Sequence, residues 1–389
     1  MTTGHPASPE HTNGKEMDTP YLAIDLDRVR RNMEELRRCF SLLRPRVFYS
    51  VKANASPRVL TTIAGLDCGF DVASIGEIRA LCRIGVSPDV MCFSSTIKVP
   101  AHIAEAYALG IRLFAFDSEE ELKKLSRLAP RARVILRLEV PHLGSRWPLA
   151  GKFGATPAAS LGLLRSAERL ELQPYGLTFH VGSQCVRTAS WLDALAISYR
   201  VWDEAAKRDI RLQLLNLGGG LPATYTEDVP SIAEIGNTVS RQALRTFGPE
   251  IDYAIEPGRF VVADSGTLVT SVIGKARRKN RLWIFVDLSI YTGLLEVIGG
   301  WTYPITTGRD DQPKQIVTLA GPSCDSTDII AGEIELPELE VGDRIALLTA
   351  GAYTTAYENY NGLAFPEVVY RSAKSEITDS IALPSQTHP

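Results

Sequence analysis

A (β/α)8 barrel followed by an all-β domain is the architecture the sequence predicts, and three observations predict it. Eight short apolar, β-branched runs recur through the first two thirds of the chain. Helical patterns, with apolar residues three or four apart, lie between them. After about residue 262, strand-like runs follow one another without long helices.

The eight runs are 47–51, 69–73, 90–94, 113–116, 134–138, 176–180, 214–217 and 253–256. Strands alternating with helices point to parallel α/β structure, either a closed barrel or an open doubly wound sheet. In 74–81 a serine able to cap precedes helical spacing, and Ser118-Glu119-Glu120-Glu121 is a capping-box sequence before an apolar stripe. The later strand-like runs are 268–273, 283–286, 315–319 and 344–348. The expected layout is a barrel over 30–262 and a β domain made of 17–29 plus 263–389. Polar residues 1–16 are expected to be disordered and lack the apolar core of a secretory signal.

The chain has 389 residues, 45% hydrophobic and 22% charged, which suits two globular domains. A net charge of -3 offers no basic field for nucleic acid or an anionic membrane. No apolar stretch is long enough to predict a transmembrane helix. Six scattered cysteines without a CxxC pair predict free thiols in a reducing cytoplasm, and no metal site.

Barrel enzymes carry their chemistry at the C-terminal ends of the strands. Lys52 closes the first run, Asp71 lies in the second, Arg137 in the fifth and His180 ends the sixth. Gly218-Gly219-Gly220 follows the seventh, and Glu256-Pro257-Gly258-Arg259 ends the eighth. Each has an ordinary reading: a solvated lysine, a flexible turn, a core histidine, a structural carboxylate, a surface ion pair. Together they supply what a pyridoxal phosphate enzyme needs. Lys52 would attach the cofactor, Glu256 would partner the pyridine nitrogen, His180 would stack on the ring, and the glycines with Arg259 would cradle the phosphate. Cys324 stands beside Asp325 in Gly321-Pro322-Ser323-Cys324-Asp325-Ser326-Thr327-Asp328. Gly351-Ala352-Tyr353-Thr354 places a tyrosine among small residues.

Seven motifs in order carry a resemblance: FYSVKAN, FDVAS, FHVGSQ, NLGGGLP, EPGRF, GPSCDSTD and GAYT, between about Thr19 and Tyr370. The chain resembles the fold-type III pyridoxal phosphate decarboxylases, a group acting on ornithine, lysine, arginine and diaminopimelate. It looks most like the bacterial enzymes of eukaryotic ornithine decarboxylase type. The resemblance implies a barrel plus β domain, with the cofactor on Lys52, Glu256 at the pyridine nitrogen and His180 on the ring. It implies that Asp71 and Arg137 line the site, and that Ser183, Gly218, Gly219, Gly220, Gly258, Arg259 and Tyr353 serve the phosphate. It further implies a homodimer with shared sites. Cys324, as proton donor, and Asp325 would complete the other chain's site, and Lys152 would pair with Asp328 across the interface.

Cys-Asp, where diaminopimelate decarboxylases read Cys-Glu, favours a substrate with a distal ammonium, ornithine or lysine. Asp325, Asp287, Tyr291 and Tyr360 are expected to bind the substrate, but with Leu288 where the family's second aspartate stands and Tyr360-Asn361-Gly362 in place of Phe-Asn-Gly, the sequence departs from the family pattern near the substrate side chain. A modified or conjugated diamino acid is therefore an alternative substrate. An alanine racemase type would need a different tyrosine base and lacks the CDSTD segment. A non-catalytic regulator of the antizyme-inhibitor kind would tend to lose cofactor-site residues, and these are present.

Overall fold

The structure is a computed structural model, and it describes residues 17–149, 151–355 and 360–372. The lead-in expected to be disordered lies outside them. The chain divides into two compact units. One contains Arg28–Thr224 and Asp228–Val262. The other contains the described residues up to Asp27, Tyr225–Glu227, and those from Ala263 onward.

The first element of the described residues is β1 (Tyr21–Asp25), a strand of the second unit, followed by α1 (Leu26–Cys39). Next come β2 (Arg46–Ser50), α2 (Pro57–Ala64), β3 (Gly69–Val72), α3 (Ile75–Arg83), β4 (Met91–Phe93), α4 (Pro100–Leu109), β5 (Leu113–Phe116), α5 (Glu119–Leu128) and β6 (Arg133–Arg137). A short β7 (Ser145–Trp147) precedes α6 (Pro157–Arg169), β8 (Gln173–Thr178), β9 (Ser183–Cys185), α7 (Ala189–Ala206), β10 (Leu214–Asn216), α8 (Ile232–Phe247), β11 (Asp252–Ile255) and the single turn α9 (Arg259–Val262).

Strands β2, β3, β4, β5, β6, β8, β10 and β11 close into a parallel barrel, which decides against the open sheet. Its interior is packed: Phe48, Cys92, Ala115, Ile135, Tyr175, Leu214 and Ala254 form one buried cluster inside the strands. Helices start where the sequence offers caps. Ser74 accepts the Glu77 amide, and Ser118 accepts the Glu121 amide.

The other half of the expected capping box at Ser118 is not made. The Glu121 carboxylate turns instead to Lys98 Nζ at 3.0 Å and Lys124 Nζ at 2.5 Å, with Lys98 and Glu121 both fully buried. Lys98 also donates to the carbonyls of Ser95 and Ala115, each at 2.6 Å. Burial draws the Lys98 ammonium down to about 8, against the pull of Glu121. Glu121→Ala strands that ammonium, so it is expected to cost about 3 kcal/mol or more, read as a lower urea midpoint. Replacing both partners with Met and Leu is expected to recover much of the loss.

The second unit is a sheet in the order β14 (Ile305–Thr307), β17 (Arg344–Leu347), β12 (Gly266–Arg278), β13 (Arg281–Val286), β15 (Lys314–Ala320) and β16 (Ile329–Pro337). β1 pairs with both β12 and β18 (Glu367–Arg371), so the first described strand is built into this sheet. Tyr21, Ala23, Val269 and Val369 make a buried cluster on it. No described helix is long and apolar enough to cross a membrane.

Candidate active site

Parallel register brings the first site residues together. Ser50 of β2 pairs with Asp71 of β3, both near the C-terminal ends of their strands. Ser50 Oγ donates to Asp71 Oδ2 at 2.6 Å. Lys52, one turn beyond β2, places its Nζ 3.4 Å from the same oxygen. Tyr49 holds that turn closed by donating its hydroxyl to the Asn54 carbonyl at 3.0 Å. Asp71 is buried, and its Oδ1 has no hydrogen-bond partner among the described residues. A buried carboxylate oxygen left in this way calls for a donor from outside the chain.

Glu256 follows β11 and is 8% exposed. Its Oε1 accepts from Asn216 Nδ2 at 2.6 Å and from Ser94 Oγ at 3.0 Å. Burial, then the nearby Asp71 charge, push its carboxyl up to about 7, while Lys52 and the two donors oppose the rise. The carboxylate is therefore poised to ionise fully once a cation is brought to it. Arg137, the last residue of β6, sits 5.0 Å over the Phe153 ring, and burial lowers its pKa.

The glycine turn after β10 forms a further part of the site. Gly218 has φ +64, and a Cβ there would stand 1.7 Å from the Phe179 carbonyl oxygen. Gly220 has φ +107, and a Cβ would stand 2.5 Å from the Gly182 carbonyl oxygen. Only glycine combines that backbone with that closeness. A Cβ on Gly219 would meet His180 Nε2 at 2.9 Å. His180 Nδ1 accepts the Gly182 amide at 2.9 Å. Burial, with Arg137 and Lys52 nearby, holds its pKa well below the usual value. The ring is thus neutral, with its proton on Nε2. Arg259, 3% exposed, reaches Ser183 Oγ from Nη2 at 3.2 Å. Gly258 directly precedes it.

In the second unit the loop after β15 presents Cys324, an exposed free thiol. Beside it, Asp325 accepts from the hydroxyls of Tyr291 at 3.0 Å and Tyr360 at 3.3 Å, and from the Thr327 amide at 2.9 Å. The Thr327 bonds, then Tyr291, hold its carboxyl below the usual range. The two tyrosine rings stack with centroids 4.1 Å apart. Asp328, 3% exposed, braces this loop by accepting the amides of Ile290 at 2.9 Å and Ser323 at 3.2 Å. Tyr353 has φ +62, and two residues earlier the Gly351 amide anchors the segment by donating to the Ala263 carbonyl at 2.8 Å.

The structure thus gathers Lys52, Asp71, Arg137, His180, Ser183, the three glycines, Glu256 and Arg259 in the barrel unit, and Asp325, Tyr291 and Tyr360 in the other. Asp287 stands apart from that second cluster. Its carboxylate accepts from Thr270 Oγ1 at 2.5 Å, the Ser271 amide at 3.0 Å and Thr19 Oγ1 at 2.6 Å. Leu288 is fully buried. Lys152 lies 5.0 Å over the Phe153 ring. Ser50, Ser94 and Asn216 were not anticipated. The strand-end rule could have flagged all three, because each ends or follows a barrel strand.

The barrel residues fit pyridoxal phosphate: an amine, a carboxylate for the ring nitrogen, an orphaned buried carboxylate oxygen, and an arginine with a glycine cradle for the phosphate. Residues 26–263 match the family model described as pyridoxal-dependent decarboxylase, pyridoxal binding domain. The lysine/ornithine decarboxylase of Selenomonas ruminantium is 34% identical over 364 residues, covering 92% of this chain and 91% of its own length. Antizyme inhibitor 2 of Xenopus laevis is 31% identical, covering 93% of this chain and 82% of its own. A solved structure of SrLDC in complex with PLP and cadaverine superposes with a TM-score of 0.85 at 32% identity, covering 91% of each chain. The chain belongs to the pyridoxal-dependent decarboxylase family, and its barrel is a pyridoxal phosphate site.

Proposed function

We propose that the protein decarboxylates a basic amino acid, L-ornithine or L-lysine, to the corresponding amine. The observation that carries the substrate choice is Asp325, a carboxylate kept charged by two tyrosine hydroxyls and a backbone amide. A fixed negative charge of this kind complements a distal ammonium. Tyr291 and Tyr360 orient it, and Asp287 serves as a strut of the sheet.

Pyridoxal phosphate, when bound, supplies the electron sink for the pair released as the carboxylate leaves as CO2. Lys52 would attach it, and Asp71 would steady the Lys52 ammonium. Glu256 keeps the ring nitrogen protonated. His180, being neutral, presents an uncharged face to the ring, and Arg137 lines the same mouth. Arg259, Ser183 and the glycine amides hold the phosphate dianion. Cys324 would return a proton to Cα, and Lys52 would serve release of the amine product.

The shared-site homodimer belongs to this reading. Cys324 and Asp325 come from the second copy, and Lys152 pairs with Asp328 across the interface. Six unpaired thiols support a cytoplasmic location.

CO2 release from L- and D-ornithine, lysine, arginine, diaminopimelate and their conjugates tests the substrate. The wild type is expected to favour L-ornithine or L-lysine. Asp325→Asn is expected to lower kcat/KM for these by about 10- to 100-fold, the worth of a charge-assisted bond. Preference for diaminopimelate or a conjugate would replace this substrate assignment.

A further inference from the structure

Asn216 is the last residue of β10 and is fully buried. Its Oδ1 accepts the Gly218 amide at 3.0 Å, so its Nδ2 is the end left to donate. That nitrogen donates to Glu256 Oε1 at 2.6 Å. Ser94, the residue after β4, donates to the same oxygen at 3.0 Å. Among the described residues no hydrogen bond to Glu256 Oε2 is formed. One side chain therefore joins the carboxylate at one end of the cofactor site to the glycine turn at the other.

We propose that Asn216 and Ser94 are positioning residues that fix Glu256 by one oxygen and leave the other for the protonated ring nitrogen, Asn216 also holding that carboxylate in register with the phosphate turn. The inference rests on the function proposed above, in which Glu256 serves the ring nitrogen. The residue type matters at position 216. An aspartate has no N–H to give and would add a third carboxylate to Glu256 and Asp71. A leucine would fill the space and release both partners.

Electrostatics supplies a signature that a purely structural role would not show. Glu256 is faced by the carboxylate of Asp71, the ammonium of Lys52, the guanidinium of Arg137 and the thiol of Cys92. Burial and Asp71 favour its protonated form, and the two donated bonds favour its charged form. Removing either bond makes Glu256 hold its proton to higher pH.

The test uses the full-length apoprotein, before the cofactor is added. The carboxylic C=O band of Glu256, identified by its loss in Glu256→Gln, is titrated by difference infrared spectroscopy in the wild type, Asn216→Leu, Ser94→Ala and Ser94→Thr. The midpoint is expected to rise by about one pH unit in Asn216→Leu and in Ser94→Ala, and to return in Ser94→Thr, which keeps the hydroxyl. Ser94 is only partly buried, so Ser94→Ala gives the answer even if Asn216→Leu does not fold. Unmoved midpoints in folded variants overturn the proposal. The parent reading fails separately, if borohydride reduction of cofactor-loaded wild type leaves Lys52 unlabelled.

Discussion

Glu256→Gln is expected to lower the decarboxylation rate by about 10²- to 10⁴-fold, and to do so in kcat more than in KM. Glutamine keeps the shape and can still accept from Asn216 and Ser94. It offers no charge to hold a proton on the ring nitrogen. Losing one partner of a buried charge pair costs about 3–5 kcal/mol, and each 1.36 kcal/mol in the barrier is tenfold in rate. The phosphate ligands are untouched, so loading should survive. The same variant should change the apoprotein in the opposite direction. The folded-state pKa of Glu256, about 7, lies above its unfolded value. Its contribution to stability is therefore fully present below the unfolded pKa and lost as pH rises through about 7. Apo Glu256→Gln should thus gain on the wild type in thermal unfolding between pH 5 and pH 8. His180, lowered on folding, acts in the opposite sense in both proteins and cancels in the difference.

Lys52→Ala is expected to remove the visible absorbance of the attached cofactor and at least about 10³-fold of the activity. In the proposed mechanism the lysine is both the point of attachment and the group that releases the product. Its side chain is 45% exposed and its ion pair with Asp71 is long at 3.4 Å, so the fold should hardly notice the change. A large loss of stability would mean that Lys52 is a structural partner of Asp71 instead. Asp71 would keep Ser50 as a donor in either case.

Much of this site was legible in the sequence because strands announce themselves. All eight barrel runs are strands, with ends shifted by a few residues: the run ending at His180 stops being a strand at Thr178. Short, buried, β-branched segments bounded by helices leave few alternatives. The pair β7 and β9 was not legible: Ser-Arg-Trp and Ser-Gln-Cys alternate nothing, and they are strands only because they find each other. Lys52, Asp71, Glu256 and Arg259 were visible as charged groups at strand ends. Ser94 and Asn216 stand at strand ends too, but a neutral hydroxyl and a neutral amide gain meaning only from the carboxylate between them. Asp287 shows the converse. Next to an expected substrate segment in sequence, its carboxylate is instead committed to Thr19, Thr270 and Ser271. Local sequence does not reveal hydrogen bonds made across a sheet.

The most direct test of the account is where the cofactor attaches. The protein is loaded with pyridoxal phosphate, reduced with borohydride, digested with trypsin and mapped by mass spectrometry. Modification blocks cleavage at Lys52, so the account expects the phosphopyridoxyl mass on the peptide that runs from Val47 to Arg58. The mass on another lysine, such as the buried Lys98, or on none, would contradict it.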